Sequence, residues 1–88
     1  MSNQPHSELI TDNFNVHIRT QLVDALNTQI TTNGWTQAQA AQHLGVSQPR
    51  ISHLASRQID RFSVDALLNL AALAGLQVQL TVGPGHTT

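Results

Sequence analysis

Within residues 36–54, TQAQAAQHLGVSQPRISHL, the chain carries two helix starts, one helix stop and a regular set of small and apolar positions. No other segment restricts the fold as strongly. Thr36 and Gln39 make a capping box, in which the hydroxyl takes the amide of residue 39 and the Gln side chain reaches back to the amide of residue 36. Trp35 precedes the cap and is placed to fold onto the first turn. Asn33-Gly34 ahead of it closes an earlier helix, because glycine tolerates the left-handed conformation that follows many helix ends. Gly45 stops the second helix in the same way, Val46 plugs the inside of the turn, and Ser47 caps a third helix. Pro49 falls in that helix's first turn, where a missing amide hydrogen costs little.

Ala40 and Ala41 are small where two helices crossing steeply come closest. Ala41, Leu44, Val46, Ile51 and Leu54 supply the apolar contact, with Ala55 expected to point inward beside them. Small, turn and apolar residues at this spacing define a helix-turn-helix. Any one of these triplets alone is only a turn; the combination is not. On the helix that starts at Ser47, Arg50, His53 and Arg57 recur at i, i+3 and i+7 and predict one exposed stripe. Gln48, Ser52 and Ser56 fill the remaining outer surface. Arg can bond guanine through two donors, Gln can bond adenine, and Ser is permissive, so this face suits a major groove.

The formal net charge of −1 and the absence of lysine argue against a nucleic-acid partner until the charges are mapped. From Ala25 to Ile59 there is no Asp or Glu, while Arg50 and Arg57 are present; the flanks hold Glu8, Asp12, Asp24, Asp60 and Asp65 against Arg19 and Arg61. The reading region is thus acid-free inside an acidic chain. Four arginines still make modest non-specific DNA affinity the expectation, because that affinity scales with the phosphates neutralised. Helix-end amides and neutral polar side chains must carry much of the phosphate contact.

Outside the motif, Ile18, Leu22, Leu26 and Ile30 repeat every four residues, with Val23 adjacent, and predict a helix from about Asn15 to Thr32. Residues 1–12 are polar and expected to be a flexible segment. Ser63 caps a helix to about Ala74, with Asp65 favourable in its first turn and an apolar face of Val64, Leu67, Leu68 and Ala71. Gly75 closes it. Val78, Leu80 and Val82 then alternate with Gln77, Gln79 and Thr81, the period of a strand. Its one internal candidate partner is the short Leu9-Ile10 segment. A lone strand leaves backbone groups unpaired. The expectation is that residues 76–82 pair with a second copy, with Leu76, Val78, Leu80 and Val82 at a two-fold dimer contact. Gly83-Pro84-Gly85 ends the strand, and residues 83–88 form a tail.

Taken together, these segments resemble the XRE family, the phage repressor and Cro type of helix-turn-helix, over about Val16 to Leu76. Gln37 and Gln48 match the glutamines that open the second and reading helices in that family, and Val46-Ser47-Gln48-Pro49-Arg50-Ile51-Ser52 is close to many members. The resemblance implies that Gln37 bonds a phosphate and braces Gln48, which contacts a base. Ile59-Asp60-Arg61-Phe62-Ser63-Val64-Asp65-Ala66-Leu67 is similar to the linker and next helix of a HigA-like antitoxin branch, whose members often carry Gly-Lys where this chain has Arg57-Gln58. There Arg57 would replace the backbone phosphate contact. A final strand that pairs across a dimer is similar to HipB-like antitoxins.

The expected architecture is all-α, a lambda-repressor-like helix-turn-helix bundle of four to five helices spanning residues 13–75, with a short C-terminal β-strand over residues 76–82. The expected function is sequence-specific DNA binding and transcriptional regulation by a cytoplasmic homodimer on a near-palindromic operator. Gln48, Arg50, Ser52 and His53 are the base-reading candidates, and Thr36, Gln37, Ser47 and Arg57 the phosphate candidates. Two alternatives stand beside it: an antitoxin that neutralises a toxin and represses its own operon, and a helix-turn-helix used for protein contacts alone. Five scattered histidines lack metal-ligand spacing, and the sequence has no cysteine. Neither a phosphate loop nor a nucleophile elbow nor a pair of carboxylates on one face is found, so no metal, no cofactor and no enzymatic activity is expected. No run approaches the length of a membrane span.

Overall fold

A computed structural model describes the backbone of residues 5–84 and the side chains of residues 13–84. Four helices follow one another: α1 (Pro5–Thr32), α2 (Gln37–Leu44), α3 (Gln48–Ala55) and α4 (Val64–Leu73), with a 3-10 turn (Ile59–Arg61) between the last two. The boundaries in the middle of the chain are set by the expected caps. Thr36 and Gln39 form both bonds of the capping box at 3.1 and 2.9 Å. The Ser47 and Ser63 hydroxyls accept from the amides of Arg50 and Ala66.

The helix stops are equally local. Gly34, Gly45 and Gly75 all have positive φ, between 67 and 87°. The amide of the following residue bonds back to a carbonyl five positions earlier, Trp35 to Ile30, Val46 to Ala41 and Leu76 to Ala71, so the chain leaves each helix sharply. A Cβ on Gly45 would meet nothing within 4 Å. Gly45→Ala should therefore cost only the left-handed backbone penalty, about 1–2 kcal/mol, read as a lower urea midpoint with unchanged slope.

The core is aliphatic, with Phe62 its one buried aromatic. Leu22, Val23 and Leu26 of α1 meet Ala40, Ala41 and Leu44 of α2, Ile51 and Leu54 of α3, and Leu67, Leu70 and Ala71 of α4. Trp35, Val46 and Ile59 pack against its edge. α1 is the spine, and its polar side chains satisfy carbonyls at the ends of the other elements. Asn27 Nδ2 donates to Leu54 O at 3.0 Å, Gln29 Nε2 to Ala74 O at 3.2 Å, and an Arg19 guanidinium nitrogen to Ile59 O at 3.2 Å. The Leu54 and Ile59 carbonyls also accept from the amides of Arg57 and Phe62, so Asn27 and Arg19 donate to their second lone pairs.

Three sequence expectations are corrected. α1 begins at Pro5 rather than near Asn15; proline at a helix's first position is pre-set for it, and that signal outweighs the polar composition. Within the boundaries expected for 1–12, residues 1–4 lie outside the described residues. The C-terminal β-strand is not formed. Residues 76–84 carry no regular secondary structure, and Leu9-Ile10, the one internal candidate to pair with them, is helical. An alternating pattern supplies side-chain faces, but a strand needs a backbone partner, and the described residues of one chain hold none. Finally, Leu68 is 38% exposed rather than core; Leu70 and Ala74 complete the buried face of α4 instead.

Candidate nucleic-acid interface

α2 and α3 are joined through Gly45-Val46-Ser47, and their facing residues Ala40, Ala41, Leu44, Ile51 and Leu54 are all buried. This leaves the opposite edge of α3 in solvent. Gln48 and Ser52, one turn apart, are exposed, as is Ala55 in the next turn. Thr36, Gln37 and Ser47 are exposed as well. Neither Gln37 nor Gln48 donates or accepts a side-chain hydrogen bond among the described residues, so both amides are free to bind something else.

The expected Arg50–His53–Arg57 stripe is not assembled. α3 ends at Ala55, so the i+7 geometry does not extend to Arg57. Arg57 lies beyond the helix with φ 62°, and its guanidinium is paired with Asp24 of α1. Arg50 is half-buried. Its guanidinium carbon sits 4.2 Å from the centre of the Phe62 ring, and one nitrogen donates to Arg61 O at 3.0 Å. The cation lies over the electron-rich ring face and ties α3 to the connector. His53 is half-buried on the same helix. Removing the brace in Arg50→Ala should cost about 1–2 kcal/mol in thermal unfolding, the sum of a partly exposed cation–π contact and a charge-assisted hydrogen bond.

Three features were missed by sequence reasoning. Ala55 was expected inside and is exposed. Its spacing of i+7 from Gln48 and i+3 from Ser52 puts it on the outer edge, a signal the sequence held. The Asp24–Arg57 pair joins residues far apart in the chain, and no local pattern carries it. His43 also has a partner: its ring stacks on Trp35 with centroids 4.2 Å apart and planes 8° from parallel, which holds the start and end of α2 together. Trp35 thus reaches beyond the first turn, where it was expected.

The fold agrees with comparison to known proteins. A family profile for a helix-turn-helix domain matches residues 9–83. The chain belongs to the helix-turn-helix domain family. A solved structure assigned by name to the XRE family of transcriptional regulators superposes with a TM-score of 0.79 at 30% identity, over 84% of this chain and 83% of that one. The XRE type expected from Gln37, Gln48 and the 46–52 segment is therefore the right one. No curated protein sequence matches this chain. No helix among the described residues is long and apolar enough to cross a membrane.

Proposed function

We propose that this protein is a sequence-specific DNA-binding transcriptional regulator, acting as a repressor by occupying promoter DNA. The observation that carries this reading is the exposed, neutral edge of α3, with Gln48 and Ser52 one turn apart, their side chains making no hydrogen bond among the described residues, mounted on a buried α2–α3 contact. Gln48 and Ser52 make the central base contacts and His53 lies at the margin. Ala55 is suited to a thymine methyl. Arg50 acts first as the brace on Phe62, although the sequence alone would make it a base reader. Thr36, Gln37 and Ser47 lie near helix N-termini, where backbone amides favour phosphate. Enrichment of fragments from a genomic library that includes the protein's own promoter tests the reading. One or a few enriched near-palindromic sites are expected, and uniform recovery of all fragments would overturn it.

A second copy completes the reader. Leu76 is half-buried against the core, whereas Val78, Leu80 and Val82 are 48, 78 and 81% exposed. Val78 and Leu80, together with Phe14 and Leu68, border an apolar groove between α1, α4 and the C-terminal segment. A homodimer joined along this face would set two α3 helices for successive major grooves, about 34–36 Å apart. Light scattering on a chain truncated after Gly75 is expected to report a monomer, and an unchanged dimer would place the contact elsewhere.

The likeness of residues 59–67 to the HigA-like branch favours a second reading, an antitoxin that neutralises a toxin and represses its own operon. Expression from the native locus distinguishes them: a stoichiometric toxin partner in the purified complex supports the antitoxin, and a homodimer isolated alone supports the free-standing regulator.

A further inference from the structure

The four helices end alike, with one exception. Each ends with a residue in the left-handed conformation and an amide bonded back five positions. At the ends of α1, α2 and α4 that residue is glycine, followed by Trp35, Val46 and Leu76. At the end of α3 it is Arg57, with φ 62° and the Leu54 carbonyl accepting from its own amide at 3.0 Å, and the Gln58 amide closes the turn on His53 O at 3.0 Å. An L-residue is strained there and glycine is not. The same chain solves the same problem three times with glycine, so the geometry of the turn does not call for an arginine at position 57.

Nor does the pair with Asp24 account for it. The two side chains are 53 and 46% exposed, and a pair this open to water and salt contributes little to folding. The junction of α1 with the end of α3 is already made by Asn27, one turn along from Asp24, whose amide donates to Leu54 O at 3.0 Å. What position 57 gains over glycine is a guanidinium at the end of the exposed helix. What Asp24 adds is a carboxylate that occupies it.

We propose that Arg57 is held in a strained conformation to contact a DNA phosphate and that Asp24 competes with that phosphate for it, setting the protein's non-specific DNA affinity low. This rests on the DNA-binding reading above. In a chain with four arginines and no lysine, each phosphate contact is a large share of the electrostatic attraction. Masking one of them until a phosphate displaces the carboxylate lowers affinity for arbitrary sequence. At an operator, the base contacts of α3 hold the phosphate in place long enough to win the exchange.

The full chain, titrated with a short duplex of arbitrary sequence across a range of salt, tests this through four forms: wild type, Asp24→Asn, Arg57→Gln and the double variant. Asp24→Asn is expected to bind roughly three- to tenfold more tightly at low salt, with the salt slope steeper by about one phosphate contact. In the Arg57→Gln background the same change should have almost no effect. An unaltered slope, weaker binding, or an equal gain in both backgrounds overturns the proposal, the last because it would reflect only the loss of an acid from the overall field. A wild type that binds neither this duplex nor any enriched fragment at low salt would instead overturn the DNA-binding reading itself. Melting of Arg57→Gly supplies the second arm. Relief of the left-handed arginine should raise its Tm by about 3–6 °C while DNA affinity falls. A lower Tm would show that the arginine is there for stability and would overturn the proposal.

Discussion

Leu26→Ala is expected to lower the unfolding free energy by about 2–5 kcal/mol, the largest effect of any single substitution considered. Leu26 is completely buried in the C-terminal third of α1, among side chains of the other helices. Truncation removes several methyl and methylene groups from contact and leaves a cavity. How much of that cost is recovered depends on how far the neighbours can close the gap. Here they have little freedom, because α1 is pinned on both sides: Asn27 holds the end of α3 and Gln29 holds the end of α4. The cost should therefore fall toward the upper part of the range. A domain of this size is stable by only about 5–15 kcal/mol, so the variant is expected to show a measurable unfolded fraction well below the wild-type melting temperature. Urea unfolding followed by Trp35 fluorescence reads the change as a shift in midpoint at constant slope. A loss below about 1 kcal/mol would mean that the core does not close around this position.

Gln48→Ala should leave the fold intact and damage recognition. The side chain is exposed and makes no hydrogen bond among the described residues, and alanine is at least as good a helix former, so stability should stay within about 0.5 kcal/mol. On an enriched operator the variant is expected to lose about 1–3 kcal/mol of binding, close to a 5- to 150-fold higher Kd, and to lose its preference at one base position. Affinity for arbitrary duplexes should not change. Titration against the operator and its single-base substitutions measures both quantities. An equal loss on every sequence would assign Gln48 to phosphate rather than base contact.

The two substitutions probe different layers of the same molecule. Leu26 tests the scaffold that places α3, and Gln48 tests what α3 presents once placed. The neutral surface around Gln48 and Ser52 also fits the sparse charge of the chain. With few cations to neutralise phosphates, discrimination has to come from groups that hydrogen-bond base edges rather than from overall attraction.

Local chemistry was legible in the sequence wherever a structural device spans only a few residues. The capping box of Thr36 and Gln39, the caps at Ser47 and Ser63, and the positive-φ stops at Gly34, Gly45 and Gly75 all stand where the residues place them, because the donors and acceptors involved are neighbours in the chain. The buried side of α2 and α3 followed from small residues at a fixed spacing. What only the tertiary structure decided are pairings between distant segments. Arg50 turns to Phe62, Arg57 turns to Asp24 while its own backbone occupies a glycine's conformation, and residues 76–84 stay unpaired for want of a partner backbone. A long flexible side chain or an alternating segment takes its direction from whatever the fold brings within reach, and periodicity along one element carries no information about that.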